Sequence, residues 1–171
     1  MPDPLASWST FALAILSFVA VGISYWGIRS QAQSLAASVS ADICLKLIDR
    51  FDGPPMLVTR ALAASALLNK SNLDQADDLF DFFELVGLYV RRNMLDKEVA
   101  HSMFFHWVNL YWHAGRDYIV RTRQRSTEIY RDFERLYETV LAVEMKDAPK
   151  SRDINPTEAD VEAFLKQEVS Q

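Results

Sequence analysis

The stretch LFDFFELVGLYVRRNMLDKEVAHSMFFHWVNLYW, Leu79 to Trp112, decides the fold. From Leu79 to Val90 it is apolar on nearly every side, and only Asp81 and Glu84 interrupt it, the pattern of a helix at the centre of a helical protein. It is too short to cross a bilayer. Arg91 and Arg92 suit the negative end of a helix dipole, and Asn93 can take the left-handed conformation that closes a helix. Asp96 then caps a second helix, which carries Val99, Met103, Phe104, Trp107, Val108, Tyr111 and Trp112 at helical spacing. The two helices are expected to form an antiparallel hairpin. Upstream, Ser71 or Asn72 offers a cap with Asp74, Asp77 and Asp78 behind it, so the first helix should run from about residue 71 to Arg92.

On the N-terminal side, MLVTRALAASALLN (Met56 to Asn69) is rich in Ala and Leu around a lone Arg60 and should be largely buried. Asp52-Gly53-Pro54-Pro55 separates it from an earlier helix, with Gly53 expected as a left-handed cap. That earlier helix shows apolar residues at Ala32, Leu35, Ala36, Val39, Ile43, Leu47 and Phe51. It continues from WSTFALAILSFVAVGISYWGI, Trp8 to Ile28, a run inside which no charge falls. At about 1.5 Å per residue the run is roughly 32 Å long, close to the ~30 Å of a hydrocarbon core. Phe11, Leu16 and Val19 lie within it, and Trp8 with Tyr25 and Trp26 sit where amphipathic rings prefer the headgroups. A cleaved signal peptide fits less well, because the leader has an acid and no base and the apolar run is too long. A buried core helix rarely goes uncharged for this length. No Lys or Arg precedes Trp8, whereas Arg29, Lys46 and Arg50 follow. The positive-inside rule therefore puts the N-terminus outside and the domain in the cytoplasm.

On the C-terminal side, Ala114-Gly115-Arg116 suggests a bend, and a stripe of Ile129, Phe133, Leu136, Val140 and Val143 marks another helix. Lys146 to Asn155 reads as a polar linker. Asn155 as cap and Pro156 at the first helical position would then start an amphipathic helix presenting Val161, Phe164 and Leu165, set off from the domain as a tail. The expected division is a leader at 1–7, a transmembrane helix at 8–28, a helical domain at 29–147, and a linker with an amphipathic helix at 148–171. The fold class is all-α: one transmembrane helix continuing into a soluble bundle of about five to six helices. Composition agrees, since 50% of residues are hydrophobic while only 5 are Gly and 6 Pro, too few for turn-rich β architecture. A net charge of −5 argues against nucleic-acid binding, which relies on cations at phosphates. The single Cys44 has no internal disulfide partner and suits a small buried hydrophobe.

No nucleophile-and-base motif or phosphate-cradling loop is present, so neither a catalytic residue nor a cofactor is expected. Glu98 and His101 share the Glu-x-x-His spacing of carboxylate-bridged di-metal bundles, with Glu84 as a third candidate ligand. Such sites need a second copy; His106 and His113 follow Met103 and Leu110 at that spacing, and none exists. Arg116, Arg121, Arg123, Arg125, Arg131 and Arg135 form the one basic cluster. Three readings stay open: a solvated self-paired face; ion pairs to Asp74, Asp77, Asp78, Asp81 and Glu84; or contact of Arg116, Arg121 and Arg125 with anionic headgroups or a partner, at about 1 kcal/mol per cation on a membrane surface.

The strings DFFELVGLYVRRNMLDKEVAHSMF and NLYWHAGRDYI resemble those of small bacterial membrane proteins known as a domain of unknown function. Phe82, Phe83, Glu84, Gly87, Val90, Arg92, Leu95, Asp96, Glu98, Tyr111 and Trp112 carry the likeness, over about Leu79 to Leu136, with Asn93 where a Gly is expected. The resemblance implies one or two N-terminal transmembrane helices before a helical cytoplasmic domain, and no activity. The functional expectation is a single-pass membrane-anchored interaction or regulatory module meeting the bilayer and a protein partner or its own copy. The rivals are a membrane effector, of a defence or toxin type, that oligomerises in the bilayer, and a metal-dependent tethered enzyme.

Overall fold

The computed structural model describes Ser24, Trp26, residues 38–147 and residues 155–170. Among them the chain forms helices α1 (38–52), α2 (Pro54–Asn69), α3 (Asp77–Arg91), α4 (Lys97–Arg123), α5 (Arg131–Asp147) and α6 (Glu158–Val169). A 3-10 turn covers Leu73–Ala76, and no described residue is in a strand. The all-α expectation is met. Ser24 and Trp26 are helical, but the rest of the expected span, with Trp8, Phe11, Leu16, Val19 and Tyr25, lies outside the described residues. Among those described, no helix is long and apolar enough to cross a membrane. The chain divides into two compact units, Met1–Ala41 and Asp42–Gln171; everything below concerns the second.

Several expected boundaries move. Gly53 is not left-handed: with φ −68° and ψ 148° it is the extended N-cap of α2, with Pro54 in the first turn. The prolines thus start a helix, their fixed φ and missing N–H costing nothing where no intrahelical acceptor exists. Lys70, at φ 51°, supplies the left-handed stop of α2. Asn72, also left-handed, makes no side-chain cap, so a 3-10 turn precedes α3, which begins only at Asp77. Asn93 and Asp96 behave as expected. Asn93 has φ 54°, and the Asp96 carboxylate accepts from the Glu98 and Val99 N–H groups at 2.8 and 3.2 Å.

The expected bend at Gly115 is absent, for α4 runs unbroken through 27 residues. A Cβ at Gly115 would strike the Phe80 ring, so this glycine serves close packing rather than a turn. Leu79, Phe80, Phe82, Phe83 and Val86 of α3 are fully buried, each large side chain contributing about 1.5–3 kcal/mol on burial. Phe80 of α3 meets Tyr118 of α4, and Phe83, further along α3, meets Tyr111, earlier in α4, the running order of an antiparallel hairpin. Yet α3 lies closer to α5 than to α4. Gly87 lets the α5 backbone approach until a Cβ there would overlap the Asp132 carbonyl, while aromatic rings hold α4 further off.

The C-terminal helix is no detached tail. α6 packs on α2 and α4 and buries Phe164, Leu165 and Glu168. Nor do Asn155 and Pro156 start it: Thr157 and Asp160 form a reciprocal capping box, which satisfies two orphan backbone donors at once.

Candidate functional site

Arg60 is the one charged residue in α2, flanked by Ala63 and Ala64, which are fully buried. One helical repeat of small residues lets α6 come close enough for a side chain there to meet Glu168. The guanidinium grips that carboxylate with both arms, Nε to Oε2 at 2.8 Å and Nη2 to Oε1 at 2.7 Å. Tyr111 of α4 donates its hydroxyl to the same Oε2 at 2.8 Å. The guanidinium carbon also stands 4.5 Å from the centre of the Phe51 ring and 5.5 Å from that of Trp107, within cation–π range. Arg60 and Glu168 are 4% and 3% exposed and Tyr111 not at all, so four helices converge on a charge pair shut away from water.

Burial pulls the Arg60 guanidinium down, but the hydrogen bonds and charge of Glu168 outweigh it and hold the group above its ordinary value. Burial and then the adjacent carboxylate push the Tyr111 phenol far above its ordinary range. Cation and phenol thus keep their protons at any physiological pH. The arrangement is a fixed lock between helices.

A second polar cluster holds the start of α5. Glu84 accepts from the Phe133 N–H at 2.6 Å, satisfying from α3 a donor in the first turn of α5. Arg91 grips Asp132 at 2.8 and 3.0 Å, and Arg135 reaches the same carboxylate at 3.3 Å. Glu84, Gly87 and Arg91 share one face of α3, spaced by three and four, and all three serve this junction. Arg123 bonds the Ile129 and Tyr130 carbonyls at 2.9 and 2.8 Å and Glu134 at 2.7 Å. It thereby clamps Tyr130, whose φ of 56° is strained for an aromatic residue. Tyr130 and Tyr118 both donate to Asp77 Oδ1 at 2.7 Å; burial and then that carboxylate push Tyr118 up to about 12. Burial raises Glu84 against the pull of two backbone N–H groups. At Asp132 burial works upward too, but Arg91 and Arg135 bring it below its ordinary value.

The residues considered for a metal do not meet. Glu84 is committed to α5, Glu98 is exposed in the first turn of α4, and His101 Nε2 lies 2.9 Å from Glu144 on α5. Among the described residues no group of three or more His, Cys, Asp or Glu could hold an ion. His106 stacks edge-on against Trp107 and Phe164, and His113 lies 3.2 Å from the Tyr137 hydroxyl. The Cys44 thiol faces the Met103 thioether at 3.1 Å.

The arginine cluster splits. Arg123, Arg131 and Arg135 pair with Glu134, Glu128 and Asp132, which is the self-paired reading; no ion pair to the acidic run of Asp74, Asp77, Asp78, Asp81 and Glu84 forms among the described residues. Arg116, Arg121 and Arg125 are exposed. Arg116 acts electrostatically on His113 and Tyr137, whereas Arg121 lines a groove with Lys70 and Leu73. Reading the sequence missed the Arg60, Tyr111 and Glu168 lock, although a single cation in an otherwise apolar helix was its signal, because a buried charge demands a partner.

No curated protein and no solved structure matches the chain. A family model described as a domain of unknown function matches residues 14–140, which takes in Arg60 and Tyr111 and stops short of α6. That match covers well over half of the sequence and contains the stretch whose resemblance pointed to an uncharacterised family. The chain belongs to the DUF4760 family, a domain of unknown function.

Proposed function

We propose that this chain is a single-pass membrane-anchored interaction or regulatory protein whose helical domain lies on the cytoplasmic side and meets a protein partner or a second copy. The observation that carries the reading is the uncharged run from Trp8 to Ile28, long enough to span a hydrocarbon core and followed, not preceded, by basic residues. Polar groups in the described domain support it: Arg60, Glu84, Arg91 and Arg123 all join one helix to another. That is the chemistry of a scaffold that presents a surface.

Val19→Arg tests the anchor. A central arginine costs about 2.5–3.5 kcal/mol of insertion, so the variant should leave the carbonate-washed membrane pellet while the native chain stays in it. A native chain stripped by the wash would overturn the anchor. Orientation follows from Ser7→Cys and Ser170→Cys, each in a Cys44→Ala background. An impermeant maleimide on intact cells should label position 7 and spare position 170, and the opposite pattern would place the domain outside.

A further inference from the structure

The turn between α3 and α4 treats two neighbouring apolar residues in opposite ways. Asn93 is left-handed at φ 54°, and the Met94 and Leu95 N–H groups both return to the Tyr89 carbonyl, at 2.9 and 3.2 Å. These bonds close the end of α3 and fix where the next side chains go. Leu95 is driven into the core at 1% exposure, whereas Met94 is held out at 38%. Val99, in the first turn of α4, is exposed as well.

The surroundings of Met94 are basic. Arg91, Arg92 and Lys97 flank it, and among the described residues Arg92 and Lys97 have no ion-pair partner. Of the acids nearby, Asp132 is already paired with Arg91 and Arg135, and Asp96 turns its Oδ1 to the Glu98 and Val99 N–H groups. Glu98 stays exposed and subtracts one charge. The turns at the opposite end of the hairpin are of another kind: residues 70–72 and 124–128 expose Lys, Ser, Asn, Gln, Arg, Thr and Glu, and no large apolar side chain.

The chain also enters the domain beside the α3–α4 turn. Cys44 meets Met103 and Phe51 meets Trp107, so α1 runs alongside α4 in the same direction and starts near its beginning. Residues 29–41 lead there from the uncharged run, and the compact unit starts at Asp42.

We propose that the α3–α4 turn is a lipid-contacting tip, in which Met94 enters the interface of a bilayer while Arg92 and Lys97 meet anionic headgroups. An apolar side chain set between cations matches that boundary, because Arg and Lys lay their stems along apolar surface with the charged heads at the phosphates. The tip needs little ordering on contact, since the Tyr89 carbonyl already holds it. The proposal rests on the membrane anchor put forward above: one methionine and two cations hold a surface weakly, and tethering keeps them there. It puts lipid contact at the start of α4 rather than on Arg121 and Arg125 near its far end.

Two labelled forms of the full-length chain test it, Met94→Cys and Val120→Cys, each in a Cys44→Ala background and each carrying an environment-sensitive fluorophore. Val120 is 54% exposed near the other end of α4 and reports on water. Both are reconstituted in vesicles of phosphatidylcholine with and without phosphatidylglycerol. With phosphatidylglycerol, the label at position 94 should shift to the blue and be quenched by lipid-borne nitroxides, while that at position 120 does neither. Phosphatidylcholine alone, or Arg92→Glu with Lys97→Glu, should lower the lipid-contacting fraction at least about tenfold. A label at position 94 as wet as that at position 120 would overturn the proposal, and so would quenching at 94 that ignores both headgroup and charge reversal. If the reversed variant fails to fold, the lipid comparison decides with both cations native. A chain that carbonate strips from the vesicles counts against the anchor alone. The same two labels then read the tip with phosphatidylglycerol vesicles added in excess, where position 94 must still be quenched more than position 120.

Discussion

The two polar clusters of this domain use the same residue types to opposite effect. At the α2–α6 contact, Arg60 and Glu168 form a bidentate pair with side chains 5% and 3% exposed; at the head of α5, Arg91 and Asp132 form an equally bidentate pair with Arg91 44% exposed. Geometry does not separate them; water does. A shielded pair pays for desolvation and contributes little net stability, yet losing one partner is costly. In the half-open pair Arg91 reaches water while the Asp132 side chain is 11% exposed and keeps Arg135 beside it, so losing Arg91 costs less than losing Arg60. The buried lock therefore fixes which helix docks, and the open pair trims a junction that Gly87 and the core already define.

Breaking the lock should give the largest effect. Arg60→Ala leaves Glu168 buried without a counter-charge and should destabilise by about 3–5 kcal/mol, read by thermal unfolding of the detergent-solubilised chain. Arg60→Met with Glu168→Leu should recover most of it. A double variant as unstable as the single one would mean that packing, and not charge, makes the contact. A smaller loss is expected from Gly87→Ala, whose methyl would meet the Asp132 carbonyl and force α3 from α5 at about 1–3 kcal/mol. Wild-type stability there would show that the junction yields and that Arg91 does more than trim it.

The smallest effect is one of pH. Asp132 is held below its ordinary 3.8, so its contribution is present above that value and is lost as the pH falls through the folded one. Asp132→Asn should be less stable than the native chain at neutral pH and converge with it in acid. Glu84 has the opposite sign, because burial raises it above 4.5: the folded state prefers the neutral form, and the charged form is a cost at neutral pH. Glu84→Gln keeps an acceptor for the Phe133 N–H and should match or exceed native stability at pH 7. Parallel pH curves for both variants would erase the distinction.

Where each helix lies was legible in the sequence because periodicity and caps are local: Asp96 and Asn93 did what their types predict, and the apolar density of Leu79–Val90 marked the centre of the core. Boundaries moved where a residue had two uses. Gly53 can stop one helix or cap the next, and the prolines after it settled for the next; Gly115 reads as a bend until Phe80 from another helix fills the space beside it. The sites were less legible because they are made of long-range pairs. Glu84 looked like a metal ligand and caps a helix that starts 47 residues later. Arg92 carried the family likeness, yet Arg91 makes the contact with Asp132. Glu168 sits in a helix that reads as an amphipathic tail, and nothing near it in sequence points to Arg60.

That separation has a consequence for how the domain is made. Glu168 follows Arg60 by 108 residues, and at about 5–20 residues per second a ribosome takes roughly 5–20 s to cover the interval. Throughout that time the nascent chain can fold its aromatic centre, but the guanidinium lacks the carboxylate that lets it be enclosed. The last turn of α6 thus closes the domain: a chain cut short of Glu168 carries a cation without its counter-charge beside an open groove, and should be cut faster by added protease than the full chain.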